Sequence, residues 1–273
     1  MNTIDISVII STYNQPLWLQ KVLWSFNQQS FKNFEVVIAD DGSNHETLDL
    51  IKNMTDELNY PIQHVWHEDN GFQKTIILNN ATVVAKGAYL VYTDGDCVAR
   101  DDFLQQHVNN RQKGHFLSGG YFKLPMNISQ LISRSDIEKQ LCFKIDWLKQ
   151  HGLKYSFKNN KITATGIKKR LLNLLTTTKA TWNGHNASGW KSDILAVNGF
   201  DERMQYGGED RELGERLINY GLKPIKIRYS AICLHLDHAR GYVKQDMIDK
   251  NLKIRAATKS EHVIKTAFGI EKK

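Results

Sequence analysis

An α/β fold with a mostly parallel, doubly wound central sheet flanked by helices is what this chain predicts, and three observations carry that prediction. Short runs rich in Ile and Val alternate with segments of helical apolar spacing through the first third of the chain. Such alternation builds βαβ units, whose strands run parallel. The runs read as buried strands. Polar residues then gather immediately after them, at the edge where open α/β sheets bind ligands.

Taken in order, Ile4 to Ser11 is the first strand and ends at Thr12-Tyr13-Asn14. Leu17 to Gln28 carries Leu17, Val22, Leu23 and Phe26 at helical spacing. Phe34 to Ala39 is a second strand, closed by Asp40-Asp41-Gly42-Ser43. A helix follows around Glu46 to Met54, then a strand over Pro61 to Trp66. Residues 72–86 read as helix, stopped by Gly87, and 88–93 as strand. The middle, 119–182, is less regular. Residues 129–150 show a mixed charged and apolar helical pattern, and 152–181 gather Lys154, Lys158, Lys161, Lys168, Lys169, Arg170 and Lys179. Within them, 167–175 combines a basic cluster with leucines. It reads either as a surface helix that touches anionic lipid or, more plainly, as a helix packing its leucines on the core with its lysines solvated. Leu213, Leu217 and Tyr220 place a helix after Gly207-Gly208, and Ile225 to Leu234 reads as a strand. Repeats, low-complexity tracts and Pro/Ser-rich linkers are not evident, so the chain reads as one compact domain.

Bulk properties narrow the class. The 273 residues are 41% hydrophobic and 24% charged with only 4 prolines, enough for a large core. No apolar run approaches the ~18–20 residues that span a bilayer. The N-terminus from Met1 lacks the basic and long apolar regions of a signal peptide. Cys97, Cys142 and Cys233 are odd in number and widely spaced, which suits a reducing compartment. The net charge of +7 admits nucleic acid, an anionic membrane face or anionic small substrates as partners. Nucleic acid lacks any module signature here.

Two acidic clusters carry chemistry. Ala88-Tyr-Leu-Val-Tyr-Thr-Asp94-Gly95-Asp96 ends an apolar run in two close carboxylates. Asp-Gly is a common turn dipeptide. Two carboxylates at a sheet edge also suit a divalent cation carrying phosphates. The second cluster is Tyr206-Gly207-Gly208-Glu209-Asp210, at or just inside a helix start. Acidic residues there cap helices and favour the dipole, but two adjacent ones after paired glycines exceed what a cap requires. A general base is the functional reading. His235 and His238 follow the last strand. A lone histidine is ordinarily a satisfied imidazole, while beside a two-aspartate site it becomes a metal-ligand candidate.

The motifs Ser7-Val-Ile-Ile-Ser-Thr-Tyr-Asn14, Phe34-Glu-Val-Val-Ile-Ala-Asp-Asp-Gly-Ser43, Asn80-Ala81 with Ala85-Lys86-Gly87, Asp94-Gly-Asp96 and Gly207-Gly-Glu-Asp210 together resemble family 2 glycosyltransferases of the GT-A fold, across most of residues 4–240. Asn70-Gly-Phe-Gln73, Gly184-His-Asn186 and the Gly-Gly-Glu-Asp helix are similar to bacterial chondroitin-polymerase-type and galactosyltransferase-like members. Two positions depart from the pattern: Asn79 stands where an arginine is frequent, and Tyr206 where a tryptophan is. The resemblance implies a nucleotide-sugar-binding half over 1–118, an acceptor-binding and catalytic half over 119–240, and a C-terminal helical tail over 241–273. It implies UDP-sugar contacts from Ser11, Thr12, Tyr13, Asn14, Asp41, Gln73, Asn80, Asp94, Gly95 and Asp96. Sugar contacts fall to Asn186, Tyr206, Gly207, Gly208 and Glu209. Asp210 is the implied base, and Asp96, His235 and His238 the implied ligands of Mn²⁺ or Mg²⁺. The implied acceptor is a glycan or a lipid-linked hydroxyl, in surface polysaccharide or lipopolysaccharide synthesis. A cytoplasmic protein is expected, working at the inner membrane face. A nucleotidyltransferase and a non-catalytic nucleotide-sugar-binding module are the alternatives. The first lacks its N-terminal Gly-rich phosphate loop here, and the second does not require Asp210. A glycosidase needs neither nucleotide nor metal.

Overall fold

The computed structural model describes residues 3–239 and 243–272. The reading of the extreme N-terminus at Met1, the division at 240/241 and the end of the tail at Lys273 lie outside them.

The first half is the expected alternation: β1 (Ile6–Thr12), α1 (Pro16–Asn27), β2 (Phe34–Asp40), α2 (His45–Thr55), β3 (Ile62–Trp66), α3 (Lys74–Val84) and β4 (Tyr89–Asp94). β1 pairs in parallel with both β2 and β4, and β2 with β3. The chain continues through β5 (Cys97–Ala99), α4 (Phe103–Asn110), β6 (His115–Ser118), β7 (Phe122–Lys123), α5 (Met126–Leu131), α6 (Arg134–Glu138), α7 (Ile145–Gln150), α8 (Asn160–Thr163), α9 (Gly166–Leu175), β8 (Ala187–Trp190), α10 (Lys191–Ala196), α11 (Glu209–Asn219), β9 (Lys223–Lys226), β10 (Cys233–His235) and α12 (Gln245–Ser260). The main sheet has seven strands in the order β3-β2-β1-β4-β8-β6-β9, with β8 antiparallel to both its neighbours. A small sheet, β5-β10-β7, sits apart from it.

Both faces of the main sheet are covered. Ile6, Val8 and Ile10 of β1 join one core with α1, α5 and α6, while Ile9 joins a second with α3, α10 and α11. That double covering is why β1 and β2 read as continuous apolar runs. The parallel register aligns the strand ends, so Ser11 and Asp94 stand side by side.

Three sequence expectations need correction. Ile225 to Leu234 is not one strand. β9 joins the main sheet and β10 the small one, with a turn between in which Ser230 and Ala231 N–H groups donate back to Ile227 O. The apolar side chains of that turn are as buried as a strand's, so pattern alone did not separate them. The helical pattern over 129–150 breaks into α5, α6 and α7. A Ser133–Asp136 capping box starts α6, and Gln140 at φ 54° breaks the chain after it. Finally, α9 does not pack its leucines on the core: none of its residues is buried.

Candidate active site

A cavity of about 980 Å³ opens at the carboxyl ends of β1, β2 and β4 and is closed on the far side by the start of α11. Ser11, Thr12, Tyr13, Asn14, Asp41, Asp94, Gly95, Asp96, Tyr206, Gly207, Gly208, Glu209, Asp210, His235 and His238 all line it. These residues span the sequence from Ser11 to His238 and meet only in the folded chain.

Three expected residues stand elsewhere. Asn80 is exposed on α3 and is not part of the lining. The preceding residue, Asn79, is fully turned into the protein. It accepts from Phe200 N and donates to Phe200 O and Glu202, pinning the 200–202 turn to α3. Asn186 is buried behind the cavity, where its amide donates to Gly120 O and Ala231 O. Gln73 caps α3, and its backbone N–H donates to Asp41 Oδ2 at 3.1 Å.

The two β4 aspartates are differently placed. Asp94 accepts from Ser11 Oγ at 2.7 Å and pairs with Lys74 Nζ at 2.8 Å. Burial works against its charge, but Lys74 overcomes it and holds the carboxyl well below its usual range. Gly95 turns tightly, its N–H on Ser11 O at 2.7 Å; a Cβ there would sit 3.1 Å from that oxygen. The turn swings Asp96 away from Lys74 and toward two imidazoles. His238 Nε2 lies 2.9 Å and His235 Nε2 3.5 Å from Asp96 Oδ2.

Those two rings are oriented by the backbone. His235 Nδ1 meets Leu236 O at 2.9 Å, and His238 Nδ1 meets Ala239 O at 2.8 Å. A carbonyl only accepts, so each Nδ1 donates its proton there and each ring turns its Nε2 toward Asp96. A carboxylate with two imidazole nitrogens turned toward it is a donor set that suits a transition-metal dication. The ligand atoms of Asp96, His235 and His238 lie within 4.8 Å of one another, so the residues present fit a divalent metal ion.

At the opposite wall, Gly207 and Gly208 adopt φ 109° and 96°, a region that other residues rarely enter. They let the chain turn sharply into α11. Asn251 of α12 braces the turn, bonding Gln205 O and Gly207 O, and Glu209 Oε2 accepts from Gly207 N at 2.9 Å. α11 itself is anchored by the fully buried Arg216, which grips Glu212 and donates to Val197 O and Gly199 O. The result is a rigid presentation of Asp210. Its carboxylate rests on Gly184, where a Cβ would lie 2.5 Å from Oδ2, and its Oδ1 is enclosed with no hydrogen-bond partner among the described residues. Burial is the main cause that pushes its pKa up from 3.8 to about 7, with Glu209 and Asp94 adding to the effect and Lys74 opposing it. A carboxylate poised near neutrality in a cavity is a general-base candidate.

Residues that sequence reasoning passed over complete the site. Lys74 heads α3 beside Asp94. His67 bonds Asp41 Oδ1 at 2.9 Å, and burial still raises that carboxyl to about 6. His185, pushed down to about 4 by burial, stacks edge-on against Tyr121 at 4.6 Å. The position of Lys74, first in a helix that starts at the ligand-binding edge, was the available signal. Replacing Lys74 by Met is expected to move the titration of the Asp210 carboxyl above 7, because its cation is the larger of the two lowering influences there, the other being a Gly184 backbone hydrogen bond. Carbon-detected NMR of that carboxyl reads the shift, and an unchanged titration refutes the coupling.

With this geometry, comparison with known proteins decides the family. The model of glycosyl transferase family 2 matches residues 7–165. The chain belongs to glycosyl transferase family 2. A second model, described as the N-terminal domain of galactosyltransferase, matches residues 178–239 of this family 2 chain. Validoxylamine A glucosyltransferase of Streptomyces hygroscopicus subsp. jinggangensis is 26% identical over 247 residues, covering 86% of this chain and 56% of that protein. Chondroitin synthase of Escherichia coli is 25% identical over 238 residues, covering 79% and 32%. The chain therefore spans about half the length, or less, of these curated relatives. Among solved structures, S. aureus TarS 1-349 in complex with UDP-GlcNAc superposes with a TM-score of 0.63 at 15% identity, over 95% of this chain and 70% of that one. The mannosyltransferase PcManGT from Pyrobaculum calidifontis, in complex with GDP-Man and Mn²⁺, gives 0.59 at 17% identity, over 96% and 64%. These likenesses establish the fold, which is of the GT-A type.

Proposed function

We propose that this protein is an inverting, metal-dependent glycosyltransferase. It moves a sugar from a UDP-sugar to a hydroxyl of a glycan or lipid-linked acceptor, in bacterial surface polysaccharide or lipopolysaccharide synthesis. One observation carries the reading: a single cavity holds both the Asp96–His235–His238 cluster and Asp210, whose carboxyl is held near neutrality. The names of the relatives, a glucosyltransferase and a chondroitin synthase, support the reaction class, and the UDP-GlcNAc complex of TarS supports the donor class.

In this reading Ser11, Thr12, Tyr13, Asn14 and Asp41 hold the uridine end. Asp94 is committed to Lys74 and Ser11, which leaves Asp96 for the metal together with His235 and His238. Two imidazoles in the donor set favour Mn²⁺ over Mg²⁺, which prefers oxygen ligands. A divalent ion held by Asp96, His235 and His238 would neutralise the charge that grows on the departing diphosphate. Asp210 takes the proton of the acceptor hydroxyl as that oxygen attacks the anomeric carbon opposite the diphosphate, so the configuration inverts. Phe72 and Tyr206, edge to face at 5.9 Å and both lining the cavity, offer the acceptor an aromatic wall, with Glu209 beside them for its hydroxyls. The cytoplasmic face of the membrane is the proposed place of work, because nucleotide sugars are made there; among the described residues no helix is long and apolar enough to cross a bilayer.

The test is a panel of nucleotide sugars with Mn²⁺, read by calorimetry and by release of nucleoside diphosphate. Metal-dependent binding and turnover of one UDP-sugar are expected. Binding without any turnover, with every acceptor offered, assigns the protein to the non-catalytic alternative.

A further inference from the structure

α9 is an amphipathic helix turned inside out. Ile167, Leu171, Leu174 and Leu175 fall on one arc at 100° per residue, and they are 76%, 49%, 75% and 69% exposed. The face toward the body of the protein carries Lys169, Leu172 and Asn173, all partly buried. Asn173 donates to Ser230 Oγ at 3.0 Å and accepts from Tyr229 N at 2.9 Å, and Lys169 lies partly buried beside it. A helix that secures itself through an asparagine and leaves four aliphatic side chains in water has no apolar partner for that arc among the described residues.

The surroundings say what that partner is. Lys168 and Arg170 flank the apolar arc and are exposed. Arg170 and Leu174 also border a cleft of about 770 Å³ that Lys169, Lys226 and the amides of Asn109 and Asn173 help to line. Between Asp146 and Asp193 the chain has no carboxylate side chain at all. The segment that leads into the helix exposes Tyr155 and Phe157 (90% and 69%) between Lys154 and Lys158. An apolar arc ringed by cations, with no anion among them, complements an anionic bilayer surface. A second copy of the chain would bring the same positive charge against it.

We propose that α9 seats this protein on an anionic membrane surface, with its aliphatic arc in the lipid interface and a headgroup phosphate in the Lys169–Arg170–Lys226 cleft. The segment is tied to the active-site wall at both ends. Lys161 Nζ donates to the carbonyl of Tyr121, a cavity residue, at 2.7 Å. Past the helix, Trp182, Asn183 and His185 are themselves cavity lining. Docking through α9 therefore brings the acceptor side of the cavity near the bilayer, which suits a lipid-linked acceptor. This last point deepens the transferase reading, whereas the docking itself does not depend on it.

The experiment is flotation of the intact protein with phosphatidylcholine vesicles, with and without phosphatidylglycerol, at low and high salt and with no sugar donor present. The wild type should bind the phosphatidylglycerol vesicles and ignore the neutral ones. Lys168→Gln/Arg170→Gln should bind roughly tenfold or more weakly at low salt. Leu171→Gln/Leu174→Gln/Leu175→Gln should lose binding at every salt. Its melting temperature and UDP affinity should stay unchanged, because these side chains support neither core nor cavity. Failure of the wild type to bind anionic vesicles at low salt overturns the proposal, as does undiminished binding by the leucine variant. A concentration-dependent dimer that the leucine variant abolishes, without vesicle binding, assigns the face to a second copy instead. Because no donor is used, a failed flotation leaves the transfer reaction standing, and a failed transfer assay leaves the docking standing.

Discussion

Asp210→Asn is expected to lower turnover by about 10²–10⁴-fold while UDP binding persists. The substitution keeps the shape that rests on Gly184 and removes only the capacity to accept a proton. Steady-state kinetics with calorimetry separates the two effects, and near-normal turnover would move the base to Glu209. The same variant tests the origin of the raised pKa. Folded Asp210 titrates near 7 against 3.8 for an ordinary aspartate, so the folded protein binds this proton more tightly than the unfolded chain does. Its stabilising effect is fully present below 3.8 and is lost as pH rises through about 7. The Asn variant has no such loss. Its melting temperature should gain on that of the wild type between pH 4 and pH 8, with wild-type turnover rising over the upper part of that range as the base deprotonates. A melting difference independent of pH would contradict the assignment. In the proposed mechanism the site trades stability at working pH for a usable base.

Chelation should abolish activity, and Mn²⁺ should restore it more fully than Mg²⁺. Asp96→Ala should lose most turnover with the fold intact, since this partly exposed carboxylate faces His235 and His238 and its contact with the core is a long bond from Cys97 Sγ at 3.4 Å. The stronger measurement is binding of Mn²⁺ itself, by paramagnetic resonance, in the absence of any sugar donor. Wild type should bind in the presence of UDP, and the Asp96 and His235 variants at least tenfold more weakly, a loss typical when a metal site is disturbed. Full activity in excess chelator would sink the metal reading outright.

Much of this architecture was legible beforehand because its signals are local. β1, β2 and β4 were readable as apolar runs, since a strand covered on both faces is apolar along most of its length, whereas β3 lies at the sheet edge and is only partly buried. Asp94, Asp96 and Asp210 stood out because each sits at an element boundary beside a glycine that lets the backbone turn. The run from Ile225 to Leu234 misled for the opposite reason. A buried turn and a buried strand use the same apolar residues, and only the partners β6, β5 and β7 distinguish them.

What the sequence by itself determined, then, is the class of fold, the carboxyl edge where ligands gather, and the residue types that assemble there. Tertiary structure alone decided which of them act together. Lys74 claims Asp94 and so frees Asp96 for the histidines, a division set by distances of a few ångströms between side chains far apart in the chain. Asn80 and Asn186, plausible by motif, lie outside the cavity, because a helix face or a neighbouring backbone carbonyl takes each of them away. The direction of α9 was equally undecidable from its pattern. An amphipathic period says that one face is apolar, but which face meets the protein depends on what the protein offers, and here Tyr229 and Ser230 offered hydrogen bonds to Asn173.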